Sequence, residues 1–269
     1  ADLSGADLKG ANLRDADLEG AKLGGANLKG ADLIRAYMDD AKLGGANLKG
    51  ANLKGADLKG ADLKGANLKD ADLEGANLYS ANLKGADLEG ANLDYVDLRV
   101  ANLKDADLKG ANLKDADLTA AKLRGANLEG VSLIDADVFS ANLKGANFRY
   151  ASLIDAYLTD ANLEGADLRD VDLNGADLAD AKLGGVNLTG ANLEGVRLTD
   201  ANLELADLEG VSLEGVDLKG ANLKGANLKG ANFRYADLKG ANLVRADFRG
   251  ADLRGQNLDD LKSRGAILN

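Results

Sequence analysis

Apolar residues recur along this chain with a period of five. Cut from Ala1, the sequence reads ADLSG ADLKG ANLRD ADLEG AKLGG ANLKG, and the register holds through 52 pentapeptides to Asp260. The third position is Leu in 47 of them, and Met38, Val138, Phe148, Phe233 or Phe248 in the rest, so it faces inward. The first is Ala in 44 and Val in seven, with Gln256 once, which puts it inside where space is tight. The second is Asp or Asn in 42, the fourth is usually charged, and the fifth is Gly in 30. Those three positions face solvent or turn corners, with glycine available where φ must be positive. A period of five fits neither the 3.6 of a helix nor the 2 of a flat strand. It also fails the period of hexapeptide β-helices and the longer one of leucine-rich repeats. What remains is a coil that turns a corner at each pentapeptide.

The ten departures from Asp or Asn at the second position give the size of that coil. Lys22, Lys42, Lys122 and Lys182 share one position modulo 20; Ser132, Ser152 and Ser212 share a second; Tyr37, Tyr157 and Arg197 share a third. Substitutions of one chemical type thus recur on one side, which predicts four pentapeptides per coil. The chain is then a square solenoid of 13 coils, ~62 Å long at the ~4.8 Å spacing of paired strands. Stability is spread along such a one-dimensional stack, each buried Leu contributing roughly 2 kcal/mol.

Composition narrows the chemistry. Among 269 residues there is no His, Cys, Pro or Trp, and aromatics make up 4%. That removes an imidazole base, a thiolate nucleophile, a Cys/His zinc site and a disulfide framework. No catalytic, cofactor-binding or metal-binding residue is assigned, and the chain is read as no enzyme: its serines lack a histidine partner, and convex solenoids offer no deep pocket.

A(D/N)LXX in tandem resembles the pentapeptide-repeat family, over residues 1–260. The resemblance implies an all-β, right-handed quadrilateral β-helix. It also implies a choice of roles, since the family holds DNA-mimicking proteins that protect or inhibit DNA gyrase, effector and adaptor modules, and many cyanobacterial members.

The last nine residues leave the pattern, with Ser263 where Leu is due. The reading places a solenoid at 1–260 and a C-terminal cap at 257–269. In the cap, Asn257 starts a short helix through LDDLKSR that Gly265 ends, with Leu258 and Leu261 covering the final coil. A cap is expected there because an open β edge invites aggregation. Ala1 is already in register, which points to a fragment, a processed chain, a domain of something longer, or end-to-end stacking. No signal or membrane-spanning run is visible; a cytoplasmic location is favoured on that ground alone.

The outward positions hold the functional candidates. Lys64, Lys84, Lys104, Arg124 and Lys144 stack on one side, and Lys9, Lys29, Lys49 and Lys69 on its neighbour. Acidic residues interleave and no aromatic sits among them, so they read as a solvated face rather than a nucleic-acid track. Asp97, Asp117 and Asp137 stack as well, a pattern that would suit a cation but also suits backbone-bonded corners. Ile134, Phe139, Tyr150, Ile154 and Tyr157 cluster at outward positions and predict an apolar patch for a partner. The formal charge of −11 is carried entirely by residues 151–215, where 14 acidic side chains meet three basic ones. Asp155, Asp160, Glu164, Asp167, Asp170, Glu194, Glu204, Glu209 and Glu214 define this acidic band beside the patch.

Three functions follow. The first is a scaffold or protein-interaction module whose partner is a protein with a basic surface. The second is a DNA mimic acting on gyrase or another DNA-binding protein; a ~62 Å imitation would need about 36 charges at one per ~1.7 Å, which only the band approaches locally. The third is a consensus-like designed scaffold, against which the irregular DVFS and the twice-used NFRY speak. Direct nucleic-acid binding and membrane contact are not expected from the charge. A dimer through the helix or the patch is left open.

Overall fold

The computed structural model describes residues 1–268. Each pentapeptide from Ala1 to Gly255 contributes one short extended segment and one turn, and the last, 256–260, leads into a helix instead. The N–H of Ala31 donates to Leu28 O at 3.0 Å across the turn, and Gly30 between them has φ of 63°. A positive φ at the third residue is the type II pattern, which glycine adopts without steric cost. Where the corner is not glycine it is most often Asp, such as Asp135 and Asp180 with φ of 57° and 58°, a residue that tolerates this region better than most.

Coils are joined by parallel bridges between residues twenty apart, from Asp2 with Lys22 to Asp247 with Ile267. A typical pentapeptide donates one bond back and two forward: Asn27 N–H to Ala6 O at 2.9 Å, Leu28 N–H to Asn47 O at 2.7 Å and Gly30 N–H to Lys49 O at 3.0 Å. The twenty-residue period therefore stands in the backbone itself. We call first, second, third and fourth the sides that carry the pentapeptides beginning at Ala61, Ala66, Ala71 and Ala76, and at every twentieth residue from them. Side chains at the second position run a parallel ladder: Asn82 Nδ2 donates to Asp62 Oδ1 at 2.9 Å, and Asn102 Nδ2 to Asn82 Oδ1 at 3.0 Å. The same oxygens accept the N–H two residues on, as Asp137 Oδ1 does from Phe139 at 2.9 Å. One amide or carboxylate thus fixes a turn and, when it is Asn, also ties two coils.

The first and third positions fill the axis. Met38, Val138, Phe148, Phe233 and Phe248 are as buried as the leucines they replace. The rings of Phe233 and Phe248 meet at 5.0 Å near the C-terminal end. Valine at the first position is tolerated at a cost: the turn bond lengthens to 3.4 Å at Val171 and 3.3 Å at Val186 and Val196. Five of the seven such valines fall between 171 and 216, and there the ladder opens on the third side. Leu173 and Gly175 donate to Asn192 and Glu194 at 2.9 and 2.8 Å; one coil later, among the described residues, Leu193 and Gly195 make no such bonds, and Asn192 is not bridged to Ser212. A slot of about 330 Å³ lies between Asn192, Glu194, Ser212 and Glu214. Valine bulk inside and two stacked carboxylates outside account for the parting.

The helix α1 spans Leu258–Ser263, with Asn257 as N-cap accepting from Asp259 and Asp260. Leu261 is buried, but Leu258 is 46% exposed. The expectation that both cover the last coil is therefore corrected: Leu261 covers it, whereas Leu258 opens the helix, about 60° round from Leu261, and stands half in solvent. Polar side chains do part of the covering. Gln256 Nε2 donates to Phe233 O and Ala236 O at 3.0 and 2.9 Å, and Arg264 Nη2 donates to Leu238 O and Ala241 O at 2.7 and 2.6 Å. Ala236 O and Ala241 O have no further coil to accept from, and the side chains supply the missing donors; Phe233 O and Leu238 O also take the turn bonds from Ala236 and Ala241. Nor do the last nine residues all leave the repeat. Ile267 N–H donates to Ala246 O and Phe248 N–H to Ile267 O, both at 2.8 Å, so Ala266 to Leu268 re-enter the register that Leu261 and its neighbours interrupt.

Candidate interaction face

Because every side repeats at twenty, what a surface presents depends on columns rather than runs of sequence. Ile134 and Ile154 stack on the third side and are half-buried, Asp135 N–H donating to Ile154 O at 3.0 Å. Phe139 and Tyr157 stand on the fourth side, 43% and 58% exposed. Between the two pairs runs the corner that carries Asp115, Asp135 and Asp155. Tyr150 is a corner further away, between the second and third sides, where Arg149 covers its ring at 5.0 Å and donates to its hydroxyl at 2.8 Å. The five residues form no single patch; a charged corner divides them.

The acidic band also resolves into parts. Glu164 on the first side pairs with Lys144 at 2.7 Å, and Glu204 with Lys224 at 2.9 Å. Asp167 on the second side takes the guanidinium of Arg169, whose bonds hold its carboxyl below the ordinary range. Glu209 accepts from Asn227 at 3.0 Å. Glu194 and Glu214 flank the slot on the third side, Glu214 at 3.9 Å from Arg234. Asp170 sits on the corner near Tyr150. Asp155 and Asp160 flank the fourth side at its two corners and have no basic group within 4.0 Å among the described residues.

The fourth side with both its corners is where unbalanced charge gathers. Over the five coils from 115–120 to 195–200 it carries Asp115, Asp117, Asp135, Asp137, Asp155, Asp160, Asp177, Asp180 and Asp200 against Arg197 alone. Asp115 leans to Lys114 at 3.7 Å, Asp117 to Arg99 at 3.5 Å, and Asp177 binds Arg197. Asp135, Asp137, Asp155, Asp160, Asp180 and Asp200 remain without an ion-pair partner among the described residues. Down the middle, the fourth positions read Tyr79, Arg99, Thr119, Phe139, Thr159, Ala179 and Thr199, seven coils with no carboxylate or lysine. The result is an aromatic and hydroxyl strip edged by aspartate at 115, 135 and 155 on one corner and at 160, 180 and 200 on the other, both corners being acidic in the coil of Tyr157.

The count of carboxylates along the chain took in Asp180 and Asp200 within residues 151–215 without setting them on one corner, and left out Asp135. Reading them modulo 20 would have found both corners. The idea of a cation on Asp97, Asp117 and Asp137 is answered by Arg99. Its guanidinium donates to Asp97 at 2.9 and 2.6 Å, which holds that carboxyl below the ordinary range. Among the described residues no group of three or more such ligands converges, and no helix is long and apolar enough to cross a membrane.

Fold and surface together define a repeat solenoid with sides of unlike charge. The family model described as pentapeptide repeats, in eight copies, matches overlapping segments that run from 1–40 to 212–250. The chain belongs to the pentapeptide-repeat family, whose fold is a right-handed β-helix. A search of curated proteins gives no match. Among solved structures it is similar to HetL, a pentapeptide repeat protein involved in heterocyst differentiation regulation from the cyanobacterium Nostoc, at 36% identity over 84% of this chain and 88% of that one, with a TM-score of 0.39. A pentapeptide repeat protein of the Arabidopsis thaliana thylakoid lumen is 30% identical over 48% of this chain and 72% of that one, TM-score 0.29. QnrB1, a plasmid-mediated fluoroquinolone resistance protein, is 22% identical over 79% and 87%, TM-score 0.32.

Proposed function

We propose that this protein is a non-enzymatic interaction scaffold whose fourth side docks a protein with a basic surface. The observation that carries this reading is the juxtaposition of Phe139 and Tyr157 with unpaired aspartate along two corners. Aromatic anchors supply contact area at small entropic cost, and a one-sign rail steers and registers the opposite charge. Stacks of 13 coils, as the repeat predicts, give the surface a rigid backing that loses little freedom when a partner binds.

The test is anisotropy of a labelled peptide rich in lysine with one or two aromatic residues. Wild type is expected to bind it with an affinity that falls as salt rises. Asp135→Asn, Asp155→Asn, Asp160→Asn, Asp180→Asn and Asp200→Asn combined should weaken it at least about tenfold while leaving the melting curve unchanged, and Phe139→Ser with Tyr157→Ser should remove the salt-resistant part. Equal binding by all three proteins would refute the reading. DNA mimicry is the less favoured reading on charge density: net −8 over five coils is one charge per ~3 Å at strand spacing, against one per ~1.7 Å in duplex DNA. No effect on gyrase supercoiling is expected, and salt-sensitive inhibition would restore that reading.

A further inference from the structure

The side adjoining the acidic one is its opposite. Across the fourth-to-first corner, Lys64, Lys84, Lys104, Arg124 and Lys144 form a column on the first side, one cation per coil over five successive coils. Lys64, Lys84 and Arg124 have no carboxylate within 4.0 Å among the described residues, and Lys122 adds a further cation in the same pentapeptide as Arg124. Both ladders are built on one backbone repeat: Gly65 N–H donates to Lys84 O, and Asp135 N–H to Ile154 O, each at 3.0 Å. Cations and carboxylates therefore recur at one and the same pitch, ~4.8 Å. Charges of equal pitch and opposite sign can stay in step over successive coils, Asp135 and Asp155 along one corner and Asp160, Asp180 and Asp200 along the other, which a partner of arbitrary structure cannot do.

We propose that the basic partner of the fourth side is a second copy of this chain, presenting its first side. This rests on the reading of the fourth side as a docking face. The area suffices: a quarter of the surface of five coils, taken from the 10894 Å² of the whole chain, is about 1,000 Å² per partner, against ~800 Å² in a standard interface. The two ladders lie on different sides of one molecule, so the contact is heterologous. A pair leaves one acidic and one basic side open, and association continues beyond the dimer. The attraction is largely between exposed charges, so it weakens as the screening length shrinks from ~10 Å at 0.1 M salt to ~3 Å at 1 M.

The experiment uses the full chain and two variants measured by sedimentation. One reverses the first side, Lys64→Glu with Lys84→Glu and Arg124→Glu. The other neutralises the fourth side, Asp135→Asn, Asp155→Asn, Asp160→Asn, Asp180→Asn and Asp200→Asn; Asn keeps the positive-φ corners. In low salt, wild type should exceed the 27.7 kDa of one chain, rise with concentration, and return to one chain in 1 M salt. Each variant alone should stay monomeric. Mixed, the two should form a 1:1 pair that grows no further, because only one complementary pair of sides is left. Wild type monomeric in low salt, or a mixture that stays monomeric, overturns the proposal. Binding of an oligolysine probe separates the two claims. If the first-side variant takes up oligolysine but does not pair, self-recognition fails and the docking face stands; if it does not bind the probe, both fail.

Discussion

Asp200 leans over the corner of the following coil, and that corner is Gly220. A methyl group placed on Gly220 would overlap Asp200 Oδ1, and Gly175 and Gly190 stand in the same relation to Asp155 and Asp170. Columns of corner aspartate thus end in glycine, the residue that offers both a positive φ and an empty space. Gly220→Ala is expected to cost more than the ~1–2 kcal/mol of a left-handed alanine. Gly210→Ala, with φ of 70° and nothing within 4 Å of the added methyl, should cost that amount alone, and the two denaturation midpoints give the difference. Charge acts at this scale too. Bonds from Arg254 lower Asp252 from 3.8 to about 2. A carboxyl with a lowered folded-state pKa contributes stability above its unfolded value, and loses that contribution as pH falls from 3.8 towards 2. Arg254→Ala should move the Asp252 titration, followed by carboxyl NMR, back towards its ordinary value.

Turns and ladders carry the next set of consequences. The period of five and the grouping of substitutions by twenty were both legible, because each position of the pentapeptide has one environment repeated many times. What the repeat hid was which residues share a side. Tyr150 and Tyr157 are seven apart in sequence and lie on different sides, whereas Asp135 and Asp155 are twenty apart and share a corner. The parting of the ladder was also hidden, since a valine for an alanine is conservative until several crowd one stretch of axis. Amide exchange at Leu193 and Gly195 should be faster than at Leu173 and Gly175, one coil earlier, because the latter are bonded to the next coil. At the other end, Arg264→Ala leaves Leu238 O and Ala241 O without their side-chain donor. An unmade bond of this kind costs ~1–3 kcal/mol; exchange should rise in 238–268 and stay unchanged in the first coils, as expected of a stack with nearest-neighbour coupling.

Seen whole, a chain with a formal charge of −11 is a rod with unlike sides: one column of lysine and arginine, and beside it one side edged by aspartate with aromatic and hydroxyl groups between. The interior makes the rod, and the columns are what it presents outward. The most direct measurement is carboxyl footprinting with a water-soluble carbodiimide, with and without the cationic partner peptide. The fourth-side reading predicts protection of Asp135, Asp155, Asp160, Asp180 and Asp200, with Asp87 and Asp107 on the second side labelled equally in both samples. Protection spread evenly over all sides, or confined to the second, would contradict it.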